Sequence, residues 1–373
     1  MANCPQTIAT IERGIAAGES RGAQLYISIN GQALIDRAFG EAAVGVPMTT
    51  DSLTLWMSAG KPIAAIAIAQ LFEQGKLLLD DRVTKYIPEF GPHGKESITV
   101  RHLLTHTGGF RGPMGSFEPG PWEAQIAKAC SLRLEPHWVP GEKAGYHPGS
   151  SWFILGELVR RLSGQPYDKY VRDEIFLPLD QPDVWVGMPP QTWKNYGDRI
   201  APTFVTDPLQ KNVATKMNDA DIGELPRPGA NARGPIKALA KLYETLLRRG
   251  HFSDHGLRLS HDTIELFTSR QRTGMFDHTF KCTLDWSLGF MVDSKQYAGE
   301  HPYGYGIHAS PETFGHSGNQ CSCAFADPKH GLVVAWICNG MPGDEAHARR
   351  QRAINAAVYE DCSLSRYPGR GLG

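Results

Sequence analysis

Between Leu53 and Phe72 the chain changes character. A short mixed run, Leu53-Thr-Leu-Trp-Met57, leads into Ser58, and after Lys61 the residues Ile63-Ala-Ala-Ile-Ala-Ile-Ala-Gln-Leu-Phe72 are almost wholly apolar for three turns. A helix that is apolar on every side is a buried one. Pro62 stands where a first helical turn tolerates proline. The pattern predicts a buried helix with Ser58 at or near its start and Lys61 one turn on, on the same face.

The same reading supplies the other elements. Residues 5–18 read as a helix. Gln24–Ile29 alternates, Asn30-Gly31 is a strong two-residue turn signal, and Gln32–Phe39 returns, so 23–39 reads as a hairpin. Gly75 stops the apolar helix. Thr99 is positioned to cap a short helix carrying Leu103 and Leu104. Residues 152–162 place Leu155, Leu158, Val159 and Leu162 on one helical face, and a second helix from Tyr167 ends at Pro178. An amphipathic helix covers 236–247 and is closed by Arg248-Arg249-Gly250.

The last third reads as strands: Leu284–Val292 as one, then Phe314–Gln320, Cys323–Asp327 and Gly331–Asn339. The last is a near-continuous apolar run of the kind found at a sheet centre. A closing helix over 344–358 turns Ala353, Ile354, Ala357 and Val358 inward. The stretch 181–232 is irregular. Its Trp185, Trp193, Tyr196, Phe204 and Met217 suit either the wall of an apolar or aromatic ligand site or a packed loop.

Composition narrows the class. The 373 residues are enough for one large domain or two intimate ones. A formal net charge of −1 gives no electrostatic case for nucleic acid or an anionic membrane. No apolar run reaches transmembrane length, and the N-terminus has no basic segment followed by an apolar core, so a cytoplasmic protein is expected. The seven cysteines are odd in number and scattered, which fits reduced thiols. Cys321-Ser-Cys323 lacks the second pair that a structural zinc site needs. No metal or cofactor is expected.

Chemistry enters through Ser58-x-x-Lys61, the one Ser-x-x-Lys in the sequence. A serine hydroxyl is a poor nucleophile until a base takes its proton. A lysine amine serves if burial lowers its pKa, and an apolar helix supplies that burial. Gly18-Glu-Ser20-Arg-Gly22 also matches a nucleophile-elbow pattern, but it lies between a helix and a strand, the reverse of the order that motif needs.

Several segments in order carry a resemblance. Ser58-x-x-Lys61, Gly75-Lys-Leu-x-Leu-Asp80-Asp and Ile98-Thr-Val-Arg-His-Leu-Leu-Thr-His106-Thr-Gly-Gly together resemble the serine β-lactamase-like and penicillin-binding-protein superfamily. The branch most similar holds class C β-lactamases, family VIII carboxylesterases, D-amino-acid peptidases and lovastatin-type acyltransferases. The likeness runs from about residue 20 to 340. It implies an α/β fold of the α+β type. An antiparallel sheet flanked by helices would come from 1–50 and 235–373, and a mostly helical lobe from 51–234.

The resemblance also implies site residues. Tyr146, after Pro140-Gly141, matches the family's Tyr-x-Asn tyrosine, and a tyrosine beside a lysine ammonium can ionise below its usual pKa of about 10. Pro148 replaces the asparagine. His316-Ser317-Gly318 matches the third element, with His316 in place of lysine, and is expected to meet substrate along with His147 and Trp152. The N–H groups of Ser58 and Asn319 would form the oxyanion hole. The two departures imply weak or absent β-lactam turnover.

The expectation is a serine hydrolase, esterase- or amidase-like, acting on a small-molecule acyl substrate through an acyl-enzyme on Ser58. An acyltransferase using the same intermediate is the alternative. A catalytically silent binding module is the reading of another class, and intact Ser58, Lys61 and Tyr146 argue against it. Assembly into a homo-oligomer is compatible with all of these.

Overall fold

The computed structural model describes residues 4–112, 120–208, 213–248, 256–297 and 304–364. Its main feature is an eight-stranded antiparallel sheet drawn from both ends of the chain. The strand order is Asp285–Trp286, Met291–Val292, Phe314–Gly318, Ser322–Asp327, Leu332–Cys338, Gly22–Ile29, Gln32–Ala43 and Val46–Pro47.

Leu332–Cys338 lies inside the sheet, paired with Ser322–Asp327 on one side and Gly22–Ile29 on the other. All seven residues are buried, as an apolar run without alternation requires of a strand covered on both faces. The period of two divides them. Val333, Ala335 and Ile337 face the core built around the Lys61–Glu73 helix, whereas Leu332, Val334 and Trp336 face the helices Pro5–Ala16 and Asp344–Asp361. Asn30 and Gly31 take φ of 50° and 76°, the left-handed pair that a tight hairpin turn needs.

Two expectations are corrected. Leu284–Val292 is a hairpin, not one strand: Asp285–Trp286 pairs antiparallel with Met291–Val292. Gly289 turns between them at φ 94°, where a Cβ would fall 2.4 Å from the Cβ of Ala65 in the buried helix. In the closing helix, Asp344–Asp361, Ile354, Ala357 and Val358 are buried but Ala353 is exposed. Its buried face is completed by polar groups with partners, such as Asn355, whose side-chain oxygen accepts from the Trp336 indole at 2.9 Å.

The aromatic residues of 181–232 are engaged by packing and by arginines. Arg172 lies 3.8 Å over Trp185, Arg233 4.7 Å over Trp193 and Arg21 5.1 Å over Phe204, and the Tyr196 hydroxyl donates to Asp183 at 2.7 Å. Arg249 and Gly250 lie outside the described residues. The Thr99 cap forms as expected: Thr99 accepts from the His102 N–H, ahead of the helix Val100–Leu104. Gly164 closes Ser150–Ser163 in the left-handed conformation. Among the described residues no helix is long and apolar enough to cross a membrane.

Candidate active site

Ser58 sits in a single 3₁₀ turn, Met57–Gly60, that runs straight into the helix Lys61–Glu73. Met57 has φ 51°, a left-handed conformation that costs a non-glycine residue about 1 kcal/mol. Neighbouring contacts hold it there. The Trp56 N–H donates to Ala232 O at 2.9 Å, and Trp56 O accepts from the Ser322 hydroxyl at 2.8 Å. The bend turns the chain from the strand Thr54–Leu55 into the helix. Met57, Ala59, Gly60 and Lys61 are buried, while Ser58 stays part-exposed.

The Lys61 side chain has no exposed surface. Its Nζ lies 3.0 Å from Ser58 Oγ, 3.0 Å from Pro148 O and 2.5 Å from Gly229 O. Burial pushes the ammonium well below the usual lysine range. A neutral amine has two N–H donors and one lone pair. The two carbonyls can only accept, so they take both hydrogens, and the lone pair is left for the hydroxyl of Ser58. Gly229 admits this arrangement because a Cβ there would lie 3.1 Å from Lys61 Nζ.

Tyr146 completes the cluster, its hydroxyl donating to Ser58 Oγ at 2.9 Å. Its main chain is fixed at both ends. The N–H donates to Asp277 at 3.1 Å, and the carbonyl accepts from the Thr279 hydroxyl at 3.0 Å. Asp277 is fully buried, also accepts from the N–H groups of Thr279 and Phe280, and pairs with Arg272 at 3.1 Å. Arg272 in turn donates to Thr105 O at 3.0 Å, and burial lowers it to about 10. Sequence reasoning missed Asp277 and Arg272. The only available signal was an aspartate followed two residues later by threonine, a turn pattern. Nothing in the sequence joins it to a tyrosine 131 positions away.

The remaining expected residues separate into those beside the cleft and those behind it. Gly318 packs so closely on the turn before Ser58 that a Cβ there would lie 2.3 Å from Trp56 O. Asn319 follows as an exposed residue of the hairpin turn. The Ser58 N–H lies in a first helical turn, whose donors the helix itself leaves free.

His316 is buried, with Nδ1 2.8 Å from Ser317 O, which assigns the proton to Nδ1. Burial, with Lys61 nearby, lowers this imidazole to about 3, so it is neutral. Ser317 points to the other face of the sheet, where its hydroxyl accepts from Gln351 at 3.2 Å, so its side chain is not offered to a substrate. His147 and Trp152, expected to meet substrate, have no exposed surface. His147 Nε2 accepts from the Phe110 N–H at 3.2 Å, and Lys61 Nζ stands 5.5 Å from the Trp152 ring. Both side chains support the site from within.

A cavity of about 380 Å³ opens beside Tyr146 and Pro148. A larger one, about 690 Å³, lies at the other end of the Phe314–Gly318 strand, by Phe314, Arg248 and His330, away from the serine–lysine pair. Among the described residues no group of three or more His, Cys, Asp or Glu side chains is arranged to hold a metal ion. The arrangement places an amine lone pair and a phenol hydroxyl within direct reach of Ser58 Oγ, groups that can take up and supply the protons an acyl transfer would need.

Residues 8–359 match the Beta-lactamase family. The chain is 24% identical over 349 residues to the esterase/beta-lactamase LipL of Mycobacterium tuberculosis, covering 86% of this chain and 77% of that protein. Among solved structures, a family VIII carboxylesterase superposes with a TM-score of 0.80 at 26% identity, covering 96% of this chain and 97% of the other. A penicillin-binding protein homologue from Caulobacter crescentus does so at 0.78 and 28%, with 95% and 97% covered.

Proposed function

The chain belongs to the beta-lactamase family, and from that premise we propose that it is a serine esterase working through an acyl-enzyme on Ser58. The observation that carries this is the placement of Lys61 Nζ against two carbonyls and one hydroxyl. Neutral Lys61 takes the proton of Ser58 as Oγ attacks the ester carbonyl. The N–H groups of Ser58 and Asn319 receive the developing oxyanion, a contribution on the order of 3 kcal/mol per donor. The Tyr146 hydroxyl gives its proton to the leaving oxygen. In the second half Tyr146 takes a proton from water, which attacks the acyl group, and Lys61 returns its proton to Ser58. The lysine and tyrosine thus titrate as a coupled pair.

Two features favour esters over β-lactams. Pro148 contributes only a carbonyl, and that is turned to Lys61, so no side-chain amide is present at this position to meet a substrate amide. Neutral His316 supplies no fixed charge for a substrate carboxylate.

The test is p-nitrophenyl butyrate turnover with intact-protein mass spectrometry, in wild type and Ser58→Ala. Turnover that requires Ser58 is expected. A butyryl adduct that clears only on adding an alcohol would instead assign acyl transfer. Turnover retained in Ser58→Ala would overturn the reading.

A further inference from the structure

The cavity beside Tyr146 is walled by a feature the mechanism above does not use. Arg111 and Glu135 form a two-point ion pair. Arg111 Nε donates to Glu135 at 2.6 Å and Nη2 makes the second bond. The side chains remain 22% and 27% exposed. The third guanidinium corner, Nη1, donates to the Thr279 hydroxyl at 2.9 Å, which donates in turn to Tyr146 O at 3.0 Å. Arg111 is held rigidly. The Ser150 hydroxyl donates to its carbonyl at 3.1 Å, and its side chain lies across Gly145, where a Cβ would fall 3.0 Å from Arg111 Cδ. Arg111, Glu135 and Thr279 line the same cavity as Tyr146 and Pro148.

This inference rests on the proposed esterase reading. Tyr146 lines this cavity, and on that reading it protonates the leaving oxygen, which puts the departing alcohol on this side of the site. The wall decides what suits it. An alkyl group would strip water from the ion pair and replace none of its hydrogen bonds, an unfavourable exchange. A carboxylate would face Glu135, and an ammonium would face Arg111. A neutral hydroxyl can donate to the spare lone pairs of Glu135 and accept from Arg111 without breaking their pair. We propose that Arg111, Glu135 and Thr279 form the leaving-group subsite and that it selects esters of neutral, hydroxylated alcohols.

The probes are 2,3-dihydroxypropyl butyrate and propyl butyrate, which share the acyl group and the three-carbon alcohol and differ in two hydroxyls. For the wild type, the kcat/KM ratio of the first to the second should exceed the ratio for hydroxide-catalysed hydrolysis by about tenfold, the worth of one net hydrogen bond. In the double variant R111M/E135L, which removes the pair without leaving a lone charge, the ratio should fall to the chemical one. The preference between p-nitrophenyl acetate and butyrate should be unchanged. A wild-type ratio no greater than the chemical one overturns the proposal, and this measurement does not depend on the variant folding. So does a ratio that survives in a folded double variant, or Ser58-dependent release of p-nitrophenol with neither propyl ester cleaved. Turnover that persists in Ser58→Ala would instead defeat the esterase reading beneath it.

Discussion

Among the described residues two lysines, Lys61 and Lys95, have no exposed surface, and they differ in one hydrogen-bond partner. Lys95 donates to three carbonyls: Pro92 O at 2.7 Å, Cys130 O at 2.9 Å and Leu132 O. Three acceptors match the three hydrogens of an ammonium, so the charged form is the one that satisfies the site. It ties the 92–95 turn to the end of the helix Trp122–Ser131. Lys61 faces two carbonyls and a hydroxyl. A hydroxyl can donate, so the neutral amine is satisfied as well. Burial alone does not make a lysine a base. What would fit it to act as one is the third partner, which decides whether losing the proton leaves an acceptor unmatched.

The largest difference is expected when each lysine is exchanged for methionine. Lys61→Met should lower kcat/KM by about 10³-fold, within the range for loss of a general base, while the protein stays folded by circular dichroism. Lys95→Met should leave kcat per folded molecule intact. Equal activity losses in the two would remove the distinction.

Asp277→Asn probes the partner on the other side of Ser58. With the tie to the Tyr146 N–H weakened and Arg272 left unpaired, kcat should fall by about 10²-fold with KM nearly unchanged, a split that steady-state kinetics reads directly.

The pH profile sharpens the contrast further. On the proposed mechanism Lys61 acts in its neutral form, and its pKa is lowered, so kcat/KM should fall as pH drops through that lowered value, by about tenfold per unit below it. The same limb should appear unchanged in Lys95→Met.

The smallest effects are on stability. Lys95→Met leaves three carbonyls without their donor and should cost about 2 kcal/mol in urea denaturation. The cost of burying the charge outweighs these three hydrogen bonds, so Lys95 is lowered from 10.5 to about 8. Between those values the unfolded chain holds the proton and the folded one releases it, so its contribution to stability rises with pH across that window, by at most about 1.4 kcal/mol per unit. The rise should be missing in the methionine variant.

Much of the scaffold around these lysines was legible in the sequence. The apolar run after Lys61 admits only burial, Asn30-Gly31 admits only a tight turn, and the run 331–339 needs cover on both faces. Ser58 and Lys61 stood out because their spacing coincides with the start of that apolar run. What could not be read was contributed by main-chain atoms. The carbonyls of Pro148 and Gly229 and the left-handed Met57 have no side-chain signature. The tie from Asp277 to Tyr146 is made by an N–H that any residue but proline would provide. The 284–292 stretch misled because its turn depends on Gly289 meeting Ala65, a contact between distant segments. His147 and Trp152 misled because adjacency in sequence to a cleft residue does not set which way a side chain points.

The carbonyl of Pro148 has one more implication. Every amino acid has a carbonyl, so no point substitution deletes that acceptor, and an alanine scan would pass over it without a trace. Position 229 has the same immunity for its oxygen but is closed to larger residues by the crowding around Lys61. Position 148 is part-exposed and lines the cavity. A substitution there would change what the cavity presents while leaving in place the carbonyl that faces Lys61.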